Sequence, residues 1–396
     1  MQFRTDPKSG NRLSVLGFGC MRFPRTLGMT DQAKTEQLIA KAVEAGINYF
    51  DTAHIYPGSE ETLGSILEKH GLRDRVFIAT KLPLMRCRAY EDFDVLLAGQ
   101  LKKLRTDHID YYLMHNLSDT ALWQRLCDLG VERWIAEKKA EGTIRQLGFS
   151  FHGKAEEFLA LLDAYSWDFC QIQYNYMNIN YQAGREGMLK AHGMGLPVIV
   201  MEPLLGGRLA ADLPPAAQNL FTQADPSRTP VDWALRWLWD QEAVTVVLSG
   251  MNEEAQLDEN LRIADASRQG MLSEAEHQVY DGVIDALNDA YKVACTGCNY
   301  CMPCPNNVNI PGSFTAYNMS YTVGRLSAIQ LYAMGISAFS PDNNYSPRQC
   351  VDCGLCEKKC PQHIAIPAEL KNVLKQMEPW WLRVAMGAMR LQRTKK

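Results

Sequence analysis

Eight short apolar runs recur along the first two thirds of the chain: SVLGFG from Ser14, INYFDTA from Ile47, VFIATK from Val76, IDYYLMH from Ile109, IRQLGFS from Ile144, FCQIQYN from Phe169, PVIVMEP from Pro197 and AVTVVLSG from Ala243. Each is nearly continuous rather than alternating, the pattern of a strand buried on both faces. Longer stretches between them, such as DQAKTEQLIAKAVEAG and GVERWIAEKKAEG, show helical spacing ended by glycine. Eight strand-helix units predict an α/β chain of the (β/α)8 TIM barrel class. A doubly wound open sheet would need a phosphate loop after its first strand, and GFGCMR at that place has G-x-G without the third glycine.

Polar or ionisable residues sit near the strand ends, where barrel enzymes build their sites: Asp51, Lys81, His115, Ser150, Gln171 and Glu202. A single residue of this kind is more often structural. Ionisable groups ending three consecutive strands converge on one mouth and favour function.

Composition narrows the class of partner. The 396 residues are 46% hydrophobic and 22% charged with a formal net charge of -4, and no basic block points to nucleic acid. The start lacks the apolar core of a signal peptide, and no uninterrupted apolar run reaches eighteen residues. The expected location is cytoplasmic, where thiols stay reduced and clustered cysteines hold metal rather than form disulfides.

Eight of the twelve cysteines fall in two runs, CTGCNYCMPCP and CVDCGLCEKKCP. The second has the C-x-x-C-x-x-C-x-x-x-C-P spacing of bacterial ferredoxins, in which three thiolates hold one cubane and the fourth reaches to the other. Two 4Fe-4S clusters are expected, one on Cys295, Cys298, Cys301 and Cys360, the other on Cys350, Cys353, Cys356 and Cys304. Zinc ribbons also use C-x-x-C pairs but separate them by a longer loop. Cys20, Cys87, Cys127 and Cys170 stand singly and read as small apolar residues; Cys20 and Cys87, on loops after strands one and three, are the two that could approach an active site.

FDTAHIYPGSE, ATK and DHIDYYLMH resemble the aldo-keto reductase superfamily, and the resemblance continues through GTIRQLGFS, QIQYN, EPLLGGRL and QLDEN, over about residues 10 to 265. It implies a catalytic tetrad of Asp51, Tyr56, Lys81 and His115. The chemistry agrees: hydride delivery to a carbonyl leaves a developing alkoxide that needs a proton near neutral pH, and a lysine ammonium beside a tyrosine favours tyrosinate. Asp51 would hold Lys81, His115 would orient the substrate oxygen, and Tyr56 would be the general acid. The resemblance further implies nicotinamide contacts at Ser150 and Gln171, backbone contacts at Cys20 and Met21, pyrophosphate contacts at Leu204 and Gly206, and adenine-facing positions at Glu259 and Asn260. Phe151 and Met201 stand where many relatives have Asn and an aromatic residue. SGMNEEAQLDEN brings no Lys or Arg for a 2′-phosphate, which leaves NADH and NADPH both open unless a basic residue arrives from elsewhere.

Expected organisation is a barrel over residues 1–290, a small α-rich ferredoxin-like domain over 291–376, and a basic amphipathic tail over 377–396. Such fusions form a subgroup of the superfamily. The stretch SFTAYNMSYTVGRLSAIQLYAMG between the runs reads as helix, either closing the barrel mouth or covering the clusters. EPWWLRVAMGAMRLQRTKK interleaves aromatic and basic residues, which suits docking on this protein or a neighbouring subunit better than an anionic membrane. The leading expectation is an oxidoreductase moving hydride between NAD(P)H and a small-molecule carbonyl or alcohol, its clusters serving a redox partner protein. The alternative is an electron-transfer or redox-sensing protein whose barrel binds nucleotide with little turnover.

Overall fold

The computed structural model describes residues 1–26, 28–210, 213–322, 324–336 and 345–383. They part into two compact units, one of residues 1–204 and 231–272, the other of 205–230 and the chain from 273 onward.

In the first unit the apolar runs form eight parallel strands: β1 (Leu16–Gly19), β2 (Tyr49–Asp51), β3 (Phe77–Leu82), β4 (Ile109–Met114), β5 (Ile144–Phe151), β6 (Phe169–Gln173), β7 (Val198–Met201) and β8 (Val244–Ser249). Each pairs with the next, and β8 closes on β1 with Val247 opposite Leu16. The crossovers are α1 (Gln32–Glu44), α2 (Ser59–Lys69), α3 (Glu91–Leu104), α4 (Thr120–Asp128), α5 (Val131–Ala140), α6 (Ala155–Ala164) and α7 (Gly184–Gly193). After β7 come α8 (Pro215–Ala224), which belongs to the second unit, and α9 (Pro230–Trp239); α10 (Glu254–Ala266) follows β8. α1 shows why these segments fold locally: the Asp31 side chain accepts the Lys34 N–H as an N-cap, and Leu38, Ile39, Ala42 and Val43 bury one stripe.

Side chains fill the barrel interior. Tyr49 and Tyr111 pack with tilted rings, centroids 5.2 Å apart, Phe169 packs edge-on to Tyr111, and the Tyr111 hydroxyl donates to Asp6 Oδ2 at 2.8 Å. Asp6 follows directly on Phe3–Thr5, which pairs antiparallel with Arg12–Ser14. The N-terminal end of the barrel is thus plugged, and the C-terminal strand ends carry the polar residues.

In the second unit α8 pairs with α11 (Glu274–Ala290): the Phe221 and Tyr280 rings lie 5.9 Å apart, and Arg228 bridges Asp225 and Glu276. The cysteine loops follow, together with α12 (Ile310–Thr322), α13 (Arg325–Gly335) and α14 (Ile366–Met377). Phe314, Ile329, Tyr332, Ile366 and Leu370 share one apolar core, against which five of the cluster-run cysteines pack from its edge and Cys356 from within. Two polar devices pin it. Asn318 accepts the N–H groups of Lys292 and Val293 and donates to the Val293 carbonyl, fixing the approach to Cys295. Buried Glu378 accepts from Tyr332, Ser346 and Arg348, which meets the requirement that a buried carboxylate be partnered. Trp380 and Trp381 are exposed while Leu382 is buried; Met386, Met389, Arg390, Arg393, Lys395 and Lys396 lie outside the described residues. No described helix is long and apolar enough to cross a membrane.

Candidate active site and cluster-binding residues

Parallel strands deliver their C-terminal residues to one end of the barrel, so Asp51, Lys81, His115, Ser150 and Gln171 meet there although they span 120 residues of sequence. The Lys81 ammonium, 1% exposed, donates to both Asp51 oxygens at 2.7 Å and to the Thr52 carbonyl at 2.8 Å. All three of its protons are spoken for, so its position is fixed. Burial pushes the Asp51 carboxyl upward, while Lys81 and the Gln171 side chain pull it back. Removing either member of so buried a pair would strand a charge, at a cost of about 3–5 kcal/mol.

Tyr56 sits on the β2–α2 loop, its ring centroid 5.3 Å from Lys81 Nζ. The His115 ring meets it edge-on, centroids 6.4 Å apart at 87°. Burial drives the His115 imidazole well below its ordinary range, with Lys81, His152 and His54 pushing the same way. His115 is therefore neutral at pH 7 and retains an N–H to donate. The four tetrad residues lie together.

Gln171 lies beside them, its side chain acting on the Asp51 carboxyl. Gln171 pairs in register with Ser150, and the Ser150 hydroxyl accepts the Asn116 N–H at 2.8 Å. Cys20 and Met21 form a 3-10 turn with Arg22 directly after β1, held by Ser59, whose hydroxyl donates to the Cys20 carbonyl at 3.0 Å. The Cys20 thiol is buried and feels both Asp51 and Lys81, which puts it beside the tetrad but keeps it protonated. Cys87 is buried as well, its thiol pushed up to about 12. On α10, Asn260 donates to the Ser249 hydroxyl at 2.9 Å, tying the helix to the end of β8, and Glu259 is half-buried.

Leu204 ends the first stretch of the barrel unit, whereas Gly206 lies in the segment from Leu205 that is grouped with the second unit. A Cβ on Gly206 would lie 2.1 Å from the Thr296 carbonyl oxygen, and φ there is +71°. Two steps on, the Arg208 guanidinium lies 3.9 Å from the Tyr291 ring centroid, and the Tyr291 hydroxyl donates to the Arg208 carbonyl. Residues 205–208 are thus packed against 291–296, immediately before and within the first cysteine run. Nothing in the local sequence signalled this, since the contact joins segments some 90 positions apart.

The cysteines line two hollows. One is walled by Cys295, Cys298, Cys301 and Cys360, the other by Cys301, Cys304, Cys350, Cys353 and Cys356, and both open toward solvent. Mutual electrostatic influence sorts the thiols the same way: Cys295 and Cys301 feel Cys298 and Cys360, Cys350 feels Cys304, and Cys356 feels Cys350. Burial is the largest influence on each, lifting Cys295 to about 11 and Cys301 to about 12, so ligation must release protons. Among the described residues no three ligating groups close on a single point as one ion would require. Thiols standing around a hollow suit an inorganic cluster, and the residues fit it.

A closed eight-stranded parallel barrel, ionisable residues at its C-terminal mouth and a cysteine-rich helical appendage define an oxidoreductase of the barrel type carrying an iron-sulfur domain. The Aldo/keto reductase family pattern matches residues 15–277, and the chain belongs to that family; a 4Fe-4S dicluster domain pattern matches residues 294–365. An aldo-keto reductase of Mycolicibacterium vanbaalenii is 27% identical over 259 residues, covering 64% of this chain and 84% of its own. Protein tas of Escherichia coli is 25% identical over 346 residues, covering 71% of this chain and 99% of its own. In fold, the aldo-keto reductase AKR11C1 of Bacillus halodurans superposes with a TM-score of 0.59 at 24% identity, covering 72% of this chain and 96% of that one.

Proposed function

We propose that the protein transfers hydride between a nicotinamide dinucleotide and a small-molecule carbonyl or alcohol, with Tyr56 as the general acid. The observation that supports this most is the Lys81 ammonium clamped by Asp51 5.3 Å from the Tyr56 ring. Bound reduced nicotinamide would supply the hydride. As the carbonyl carbon accepts it, the C–O π electrons move onto oxygen, Tyr56 releases its phenolic proton to that oxygen, and the tyrosinate left behind is stabilised by Lys81 until water restores the proton. Neutral His115 donates a hydrogen bond that holds the oxygen toward Tyr56. Ser150, Gln171, Cys20, Met21, Leu204, Gly206, Glu259 and Asn260 are the dinucleotide contacts in this reading.

The same reading assigns two 4Fe-4S clusters to the crossed sets of four thiols. Clusters when bound supply one-electron transfer. Cys353 is exposed beside exposed Val351 and Leu355, which favours exchange with a redox partner protein at that set. The proposed location is the cytoplasm.

The test is Tyr56→Phe in the full chain. It should lower kcat for carbonyl reduction at least about 100-fold, the lower range for a lost general acid, with nucleotide affinity within about 2-fold of wild type. Undiminished turnover would refute Tyr56 as the acid; a wild type that binds dinucleotide but reduces no carbonyl would favour the electron-transfer alternative.

A further inference from the structure

Leu205, Gly206 and Gly207 follow one another with φ of +49°, +71° and +100°. Glycine takes positive φ freely, but a leucine does so at a cost, and Leu205 is held there with its side chain buried. A turn of this kind persists only where its surroundings over-determine it. Here the surroundings are the approach to the first cysteine run, which belongs to the same compact unit.

A Cβ on Gly206 would run into the Thr296 backbone, 2.8 Å from its carbonyl carbon and 3.1 Å from its Cα. The turn therefore lies flat on the residue between Cys295 and Gly297. Tyr291 clamps it from a second point: its hydroxyl donates to the Arg208 carbonyl at 3.3 Å, and its ring centroid lies 3.9 Å from the Arg208 guanidinium. The charge of Arg208 is felt in turn at the Cys295 thiol. The turn that carries Gly206, assigned above to the pyrophosphate, and the loop that presents Cys295 are thus one packed layer.

We infer that dinucleotide binding and loading of the first thiol set are linked through this layer. Ligation of Cys295 and Cys298 fixes the backbone at Thr296, which holds the turn at 205–207 in the shape that receives the pyrophosphate; an occupied turn holds the first set together in return. This rests on the nucleotide and cluster readings above. Such a linkage is reciprocal: the factor that ligation adds to dinucleotide affinity, the dinucleotide adds to affinity for the ligated group. Cys295 and Cys298, which flank Thr296, both fall in the first set, so the second set is silent. A chain that has lost the first cluster would release its dinucleotide while the barrel stays folded, which makes the barrel's chemistry sensitive to oxidants and to iron supply.

The experiment is anaerobic equilibrium titration of the full chain with NAD+ and NADP+, whose oxidised rings donate no electrons, for wild type, Cys298→Ala and Cys353→Ala, with iron counted in each. Cys298→Ala should weaken whichever dinucleotide the wild type binds by at least about 5-fold, the lower range of coupling between sites, and Cys353→Ala by less than about 2-fold. Equal affinity in wild type and Cys298→Ala, or equal weakening in the two variants, would overturn the linkage. Should Cys298→Ala not fold, the wild type decides: saturating dinucleotide should slow chelator bleaching of half the visible absorption at least about 5-fold, and unchanged bleaching sinks the inference. A wild type that binds neither dinucleotide sinks the nucleotide reading, and full iron in Cys298→Ala sinks the cluster reading; each takes the linkage with it and is recognised by its own readout.

Discussion

Gly206→Ala is the most discriminating substitution in the second unit. Its backbone has φ +71°, a left-handed conformation that costs an alanine about 1–2 kcal/mol. The new methyl would start 2.1 Å from the Thr296 carbonyl oxygen, where even a weak C–H···O contact needs about 3.3 Å, so one backbone must move by about 1 Å. Overpacking of that order adds about 1–3 kcal/mol, for a sum of about 2–5 kcal/mol. Thr296 follows Cys295 directly, and a metal site tolerates only about 0.2 Å in its bond lengths, so the displacement falls on the first set of thiols. Gly207→Ala is the control: φ there is +100°, yet no atom lies within 4 Å of the added Cβ, so it incurs backbone strain alone. The assay is anaerobic reconstitution of both variants, iron per chain, and the rate at which a chelator bleaches the visible absorption. Gly206→Ala should lose cluster iron at least about 10-fold faster than Gly207→Ala, the ratio that 1.4 kcal/mol of the extra contact energy commands. Equal rates would show that the 205–208 segment does not brace the cysteine loop.

Two further outcomes follow from the geometry. Cys298→Ala should lower iron from about eight to about four per chain, and Cys353→Ala should remove the other half; loss of all the iron from either single variant, or of none, would refute the division of thiols between two clusters. His115 is held below its unfolded pKa of 6.5, so the unfolded chain takes up a proton that the folded barrel refuses; the stability this contributes is complete above pH 6.5 and falls as pH drops below it, by up to about 1.4 kcal/mol per pH unit. Denaturant melts of the barrel at pH 5 to 7 should be less steep in pH for His115→Gln, and parallel curves would contradict the burial argument.

Much of the barrel was legible because burial on both faces writes itself into a strand as a continuous apolar run, and all eight runs became strands within two or three residues of their expected limits. The residues brought together at the mouth could be named in advance for a related reason: a parallel barrel sends every strand's C-terminal residue to the same end. The partners of the acidic stretch after β8 were not legible, because Lys34 and Lys41 of α1 lie more than 200 positions from Glu253 and Glu254, the residues they pair with. Nor could the sequence assign residues 205–230, whose helix α8 finds its apolar partner in α11.

Taken alone, the sequence determined the strands, the strand-end chemistry and the cysteine spacings, all of which are short-range patterns imposed by pleat, helical pitch and the reach of a ligand loop. Only the tertiary structure decided that Gly206 rests on Thr296 and that Arg22 lies along Gly250. Those contacts join distant segments through a missing side chain or a folded-back loop, and a contact made by the absence of a side chain leaves no periodic signal to read.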